Sequence, residues 1–223
     1  MNLVLLGPPG AGKGTLANLL KSSLNVVHIS TGDILREEIK NHTPLGQEAK
    51  GYIDQGKLVP DELVTKLIRN KFLNDKRVRE QGYMLDGFPR TDKQAKDLDQ
   101  ILKETNAPID YAIYMESTLP VIIQRIGGRR VCRKCGQVFH ATNRPPKKEG
   151  VCDLCQGELY QRADDNKETI ETRMKEYLNN TKSIVDYYKA QGNLVRVDGD
   201  KESEDLHEML HKKFHEDGKC HKH

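Results

Sequence analysis

Short apolar runs alternate along this chain with longer stretches in which apolar residues recur every three or four positions. Residues 2–6 (NLVLL), 26–29 (VVHI), 82–87 (GYMLDG), 110–115 (DYAIYM) and 193–197 (NLVRV) are too short for buried helices, and most are rich in β-branched or aromatic side chains. They read as strands, and the unbroken apolar run at 2–6 suits a strand covered on both faces. Helical spacing runs through 16–24, 61–74, 92–104 and 167–189, and a last helix is expected across His207, His211 and His215. Such alternation predicts an α/β fold, a parallel sheet core wrapped by helices. Two segments interrupt it: residues 30–59 carry short helices without a strand signal, and residues 127–164 hold four cysteines.

The loop between the first strand and the first helix is GPPGAGKGT, residues 7–15. A glycine-rich turn entering a helix, with a lysine at its end, is a P-loop: backbone N–H groups and the helix dipole both face a phosphate. The usual pattern puts Ser or Thr directly after the lysine as a Mg²⁺ ligand. Here Gly14 follows Lys13 and the hydroxyl arrives one residue later, at Thr15.

Other candidate chemistry gathers at predicted strand ends and helix starts. Residues 30–33 (STGD) fit a capping box, so the helix they begin could receive an anion, with Arg36 one turn on. Asp86 lies at the carboxyl end of an apolar strand, where ligands of open α/β sheets bind and a P-loop protein needs a carboxylate to organise Mg²⁺. Gly87 leaves room for a ligand against the backbone, and Arg90 offers a fork of donors matched to phosphate. Arg125 and Arg129 flank Gly127-Gly128, where the helix from Leu119 is expected to break into a hinge. Arg162 and Arg173 follow beyond the cysteines.

Cys132, Cys135, Cys152 and Cys155 form C-x2-C-x16-C-x2-C, a tetrahedral zinc spacing in which four thiolates leave no open coordination position. The metal is therefore expected to be structural. The fifth cysteine, Cys220, falls in HEDGKCHKH, residues 215–223, read as a frayed, exposed tail; the alternative is a weak second metal site near it, from His207, His211 and His215 at i, i+4 and i+8.

Composition narrows the class. In 223 residues, 36% are hydrophobic and 31% charged, the profile of a globular protein with a well-solvated surface. No apolar run approaches the ~18 residues of a membrane span and the opening residues do not make a signal peptide, so a cytoplasmic protein is expected. The net charge of +3 is mild. It is also uneven: Arg125, Arg129, Arg130, Arg133, Lys134, Arg144, Lys147 and Lys148 face only Glu149 between positions 125 and 151, which should attract a polyanion.

Taken together, GPPGAGKGT, ISTGDILR, GKLVP, DGFPRT, GRRVC, the two CxxC pairs and QRADDN resemble the motifs of adenylate kinases, in the long form with a zinc-binding lid found in many bacteria. The likeness runs from Met1 to about residue 200. It implies a P-loop core of residues 1–29, 60–126 and 165–223, an AMP-binding domain of residues 30–59 and a zinc lid of residues 127–164. It further implies that Gly10, Ala11, Gly12, Lys13, Gly14 and Thr15 hold the ATP phosphates, with Arg129, Val138, Phe139 and the backbone of Lys201 completing that site. Thr31, Arg36, Lys57, Leu58, Val59, Gly87, Phe88, Pro89, Arg90 and Gln94 would form the AMP site, joined by Arg162 and Arg173. Lys13, Asp86, Arg90, Arg125, Arg129, Arg162 and Arg173 would be the catalytic set, with Mg²⁺ carried by ATP, structural Zn²⁺, and a monomer as the working unit. In this family glycine after the lysine is expected.

The implied reaction, MgATP + AMP ⇌ 2 ADP, needs no general base, because the attacking phosphate is ionised near neutral pH. It must instead overcome repulsion between two polyanions. Other nucleoside monophosphate kinases share the P-loop and arginines; Gln94, able to read an adenine edge, and the long lid favour AMP. A zinc-ribbon nucleic-acid-binding ATPase is the reading from another class, against which stands the low aromatic content of 5%.

Overall fold

The computed structural model describes residues 1–219. Its centre is a parallel sheet of β1 (Asn2–Leu6), β2 (Val27–Ser30), β3 (Tyr83–Asp86), β4 (Tyr111–Glu116) and, last in sequence, β8 (Leu194–Asp198), in the spatial order β2-β3-β1-β4-β8. Strand side chains alternate between faces, and the continuous apolar runs feed two cores. Val4, Leu6, Leu85 and Ala112 pack on one face with Ile68, Phe72, Leu98 and Tyr188. Leu3, Leu5, Met84 and Ile113 pack on the other with Leu16, Leu20, Leu210 and Phe214.

The first face is covered by α4 (Asp61–Asn74), α6 (Asp92–Thr105) and α9 (Lys182–Ala190), and the second by α1 (Lys13–Leu24) and α10 (Ser203–Glu216). A short helix, α5 (Lys76–Glu80), had no clear apolar period and was not anticipated. With β1 flanked by β3 and β4, the carboxyl ends of three strands open onto one crevice, the place where open parallel sheets bind ligands.

Residues 30–59 hold α2 (Thr31–Lys40) and α3 (Pro44–Asp54), which pack so closely that a Cβ on Gly46 would overlap the backbone of Glu38 and Ile39. Helix α7 (Leu119–Gly127) stops at the paired glycines as expected, with Gly128 as its C-cap. The two are not equivalent: a Cβ on Gly128 would strike the His140 ring, whereas one on Gly127 meets nothing within 4 Å. Beyond them β5 (Arg129–Cys132), β6 (Val138–His140) and β7 (Leu159–Tyr160) form a small antiparallel sheet in the order β6-β5-β7, which the sequence did not signal because its strands are very short.

The single helix expected over 167–189 is interrupted. α8 (Lys167–Glu176) passes through one π-helical turn, Tyr177–Thr181, into α9. The tail expected to be exposed is exposed from His215 to Lys219, and two polar contacts tie it to the core: Tyr111 Oη donates to Asp217 Oδ2 at 2.6 Å and Lys219 Nζ to Asp110 Oδ1 at 2.7 Å. Cys220 lies outside the described residues. Among the described residues no helix is long and apolar enough to cross a membrane.

The tight α2–α3 contact yields a test. Gly46→Ala should gain a few tenths of a kcal/mol from reduced unfolded-chain freedom but lose ~2 kcal/mol or more to backbone overlap. The melting temperature should therefore fall by ~4 °C or more; an unchanged value would mean that α2 and α3 move apart freely.

Candidate functional site

The P-loop forms because its glycines adopt conformations closed to other residues, with φ of 82° at Gly10 and 93° at Gly12. Gly12 is the N-cap of α1 and no side chain caps that helix, so its first-turn amides remain directed at the crevice. Lys13 Nζ donates to the carbonyls of Gly7 (2.8 Å) and Pro8 (2.9 Å). Burial pushes the Lys13 ammonium down to about 8, against the opposing pull of the Asp86 carboxylate.

Asp86 ends β3 beside the loop. Burial works against its ionisation, but His28, Lys13 and Arg90 outweigh it and hold the carboxyl below its ordinary value. His28 Nε2 stands 3.8 Å from Asp86 Oδ2, beyond hydrogen-bond reach, and has no other hydrogen-bond partner. Thr31 Oγ1 donates to the Asp86 carbonyl, and Gly87 (φ 82°) has Thr31 and Arg90 where a Cβ would sit. Arg90 Nε donates to the Gly87 carbonyl at 2.9 Å; burial lowers this guanidinium to about 10, with Arg173 adding to the effect.

The remaining cations reach the same crevice from three directions. Arg36 Nη2 pairs with Asp33 Oδ1 at 2.6 Å, and Arg162, from the four-cysteine segment, meets the same oxygen at 3.4 Å. Arg129 clasps Asp165 through both Nε and Nη2, while Arg173 Nη2 lies 2.5 Å from Asp164 Oδ2. Lys13, Arg36, Arg90, Arg125, Arg129, Arg162 and Arg173 all line one cavity of about 430 Å³. Arg125 is turned toward backbone: it donates to the carbonyls of Ala11, Gly199, Asp200 and Lys201, tying the P-loop to the loop before α10.

Of the other sequence-derived candidates, Gly10, Gly12, Gly14, Thr15, Val138, Phe139, Leu58, Gly87 and Pro89 line that cavity. Thr31, Lys57, Val59 and Gln94 line an adjoining one of about 60 Å³. Ala11 and Phe88 are fully buried and line neither, and Lys201 contributes its carbonyl to Arg125. Sequence reasoning missed Asp164 and Asp165 as counterions, although both stand in QRADDN beside Arg162, and it missed His28. Its only signal was a lone histidine inside a predicted strand.

The four cysteine sulfurs lie within 4.8 Å of one another, with Cys132–Cys155 at 3.4 Å and Cys135–Cys152 at 3.6 Å. A disulfide needs ~2.05 Å. Sulfurs on a tetrahedral ion with bonds of ~2.3 Å stand ~3.8 Å apart, so the set fits a metal such as zinc. Burial opposes ionisation of Cys132, but the N–H groups of Cys135 and Lys134 bring it down to about 6; burial and the neighbouring sulfurs push Cys135 up to about 12. Four thiolates this close are stable together only around a cation. Among the described residues no other group of three or more His, Cys, Asp or Glu is placed to hold a metal, and His207, His211 and His215 do not form one with each other or with other described residues.

Comparison with known proteins places these features in context. A sequence profile of the family described as Adenylate kinase matches residues 5–193. The chain is 50% identical to an adenylate kinase of Caldicellulosiruptor bescii over 205 residues, 92% of this chain and 94% of that protein. It is 49% identical to one of Clostridioides difficile over 200 residues (90% and 92%) and 46% identical to one of Bacillus subtilis over 207 (93% and 94%).

Two outcomes follow from the charges. Because Lys13 titrates near 8 folded and at 10.5 unfolded, its burden on stability is fully present below pH 8, shrinks between the two values and is absent above them. Lys13→Met should therefore raise the stability of the free protein at pH 7 by ~1–2 kcal/mol, allowing for two lost carbonyl contacts, and the gain should vanish near pH 10.5; no gain at pH 7 would show that the ammonium is comfortably accommodated. Removal of metal with a strong chelator should lower the melting temperature by ~10 °C or more, since metal binding contributes ~10 kcal/mol to small four-ligand modules. An unaltered melt would mean that the cysteines hold their segment without an ion.

Proposed function

The chain belongs to the adenylate kinase family, and from that premise we propose how its crevice carries out reversible phosphoryl transfer from MgATP to AMP, giving two ADP. The supporting observation is that nine lysine and arginine side chains, drawn from the core, from residues 30–59 and from residues 127–164, line one cavity. Unit charges ~4 Å apart repel by ~4 kcal/mol at an effective dielectric of ~20, so two nucleotides can meet end to end only where fixed positive groups offset that repulsion.

In this reading residues 30–59 are the AMP-binding domain, residues 127–164 the lid, and the remainder the P-loop core. The amides at the start of α1 and Lys13 hold the ATP phosphates. Arg36 and Arg90 hold the AMP phosphate, and Arg129, Arg162 and Arg173 surround the group in transit, each releasing its aspartate to take up phosphate oxygen. Arg125 acts through backbone, setting the P-loop against the loop at 199–201 on which the ATP base would rest. Val138 and Phe139 bring apolar surface to the same side, and Gln94 reads the AMP base.

Asp86, held ionised by its cationic neighbours, and the Thr15 hydroxyl are the groups that would hold Mg²⁺, which neutralises phosphate charge when bound. No general base is required, since the attacking oxygen is a phosphate anion and stabilising the charge spread over the transferring group is the main demand. Zinc at Cys132, Cys135, Cys152 and Cys155 keeps the lid folded, and the lid excludes water from the reacting phosphates. Every group invoked comes from one chain, so a monomer is the working unit.

A coupled assay with MgATP and each of AMP, GMP, CMP and UMP tests the reading: turnover should be strong with AMP and weak with the rest, and equal rates would refute the assignment of the AMP site. Arg129→Lys, which keeps the charge but loses the two-pronged fork, should lower kcat by ~10²-fold with little change in melting temperature. Undiminished turnover would remove Arg129 from the catalytic group.

A further inference from the structure

Gln94 is almost completely buried, at 2% exposed, and lines the smaller cavity together with Leu35, Ile53, Val59 and Val64. A side-chain amide has two acceptor sites on oxygen and two donors on nitrogen, and it reads the opposite pattern if it turns over. Here each end is engaged by a group that tolerates only one orientation. The Arg90 backbone N–H, which can only donate, reaches Gln94 Oε1 at 2.7 Å. Asp61, whose ionised carboxylate can only accept, takes a hydrogen bond from Gln94 Nε2 at 2.7 Å.

Asp61 is itself fixed. Its second oxygen accepts from Thr91 Oγ1 at 2.9 Å, and that hydroxyl accepts from the Gln94 backbone N–H at 3.1 Å while capping α6. The network thus joins the first residue of α4 to the first turn of α6 and leaves Gln94 one donor and one acceptor, in a set order, for a ligand in the cavity.

That order matters for a purine. Adenine presents a donor at N6 beside an acceptor at the adjacent ring nitrogen, whereas a 6-oxopurine presents an acceptor at the same corner. An amide free to turn would serve either base; one locked by a carboxylate serves one. We propose that Asp61 is a specificity-determining positioning residue, which fixes the orientation of the Gln94 amide and so selects a 6-aminopurine over a 6-oxopurine monophosphate. The inference rests on the AMP site proposed above and extends it to a residue that does not line the cavity.

IMP separates the hydrogen-bond pattern from size, because it differs from AMP at the 6-position and ring N1 without the extra amino group of GMP. Asp61→Ala should raise KM for AMP by about tenfold, the scale of one misplaced hydrogen bond. It should also narrow the AMP:IMP ratio of kcat/KM by about as much and leave kcat at saturating AMP within about twofold. Asp61→Ser, well suited to a helix start, should behave alike and serves if the alanine variant unfolds. If the parent enzyme favours AMP over IMP and the variants keep its KM and its ratio, Asp61 has no such role while the AMP site stands. If the parent uses IMP as well as AMP, the AMP site as drawn is wrong, and the inference falls with it.

Discussion

The structure is governed by the difficulty of holding nine lysines and arginines around one partly desolvated crevice. Arg90 and Arg162 both fall to about 10, burial being the main cause and neighbouring guanidinium groups adding to it. Removing such charges from water is costly unless partners compensate. Compensation comes from a small set of acids: Asp33 between Arg36 and Arg162, Asp165 with Arg129, Asp164 with Arg173, and Asp86 beside Lys13. These carboxylates occupy the arginine forks that a phosphate would use. On the proposed function the crevice exchanges one set of anions for another, and the aspartates that make the free protein tolerable are the groups a nucleotide would displace.

The parallel sheet is what brings those charges together. Alternate residues of β1 feed two cores, Leu3 and Leu5 on one side and Val4 and Leu6 on the other, so the strand cannot slip by one residue without reversing both. A fixed register sets the P-loop at the end of β1 next to Asp86 at the end of β3, paired as Leu5 with Asp86. Cations from residues 30–59 and 127–164 then approach a rigid floor.

Legibility in the sequence followed the strength of the local signal. All five core strands were readable, because apolar runs covered on both faces admit few alternatives, and the helix over Asp61–Asn74 matched to the residue. The glycines of the P-loop and the CxxC pairs carry their chemistry in their spacing. What escaped detection depended on tertiary contact. The π-helical turn at Tyr177–Thr181 lies inside a continuous helical pattern, and the Thr181 hydroxyl donates to the Arg90 carbonyl from it at 3.0 Å, a link across 91 positions. The counterion roles of Asp164 and Asp165 likewise need the fold, since acids beside arginines in a loop otherwise read as solvent-exposed charge. The attachment of residues 215–219 depends on Tyr111 and Asp110, far away in sequence.

The segment at 127–164 shows why a metal belongs in this fold. Its own packed apolar cluster is Cys132, Phe139, Cys152 and Leu159, and two of those are candidate ligands. A module of roughly 40 residues or fewer cannot bury enough apolar surface to hold itself together and needs a metal, disulfides or a partner. A larger apolar core would have served stability equally well, but would present apolar surface if, as proposed, the segment swings away from the rest as a lid. A compact centre of four sulfurs needs little apolar surface, and the contacts to the rest include polar ones: the Arg162–Asp33, Arg129–Asp165, Arg173–Asp164 and Arg144–Glu204 pairs and the His140 ring against the Gln124 carbonyl, around a junction at Gly127 where a side chain would meet nothing. Internal rigidity from a metal and polar external attachment would thus be two sides of one requirement of the proposed function, that this segment move as a unit over a crevice whose charges it helps to complete.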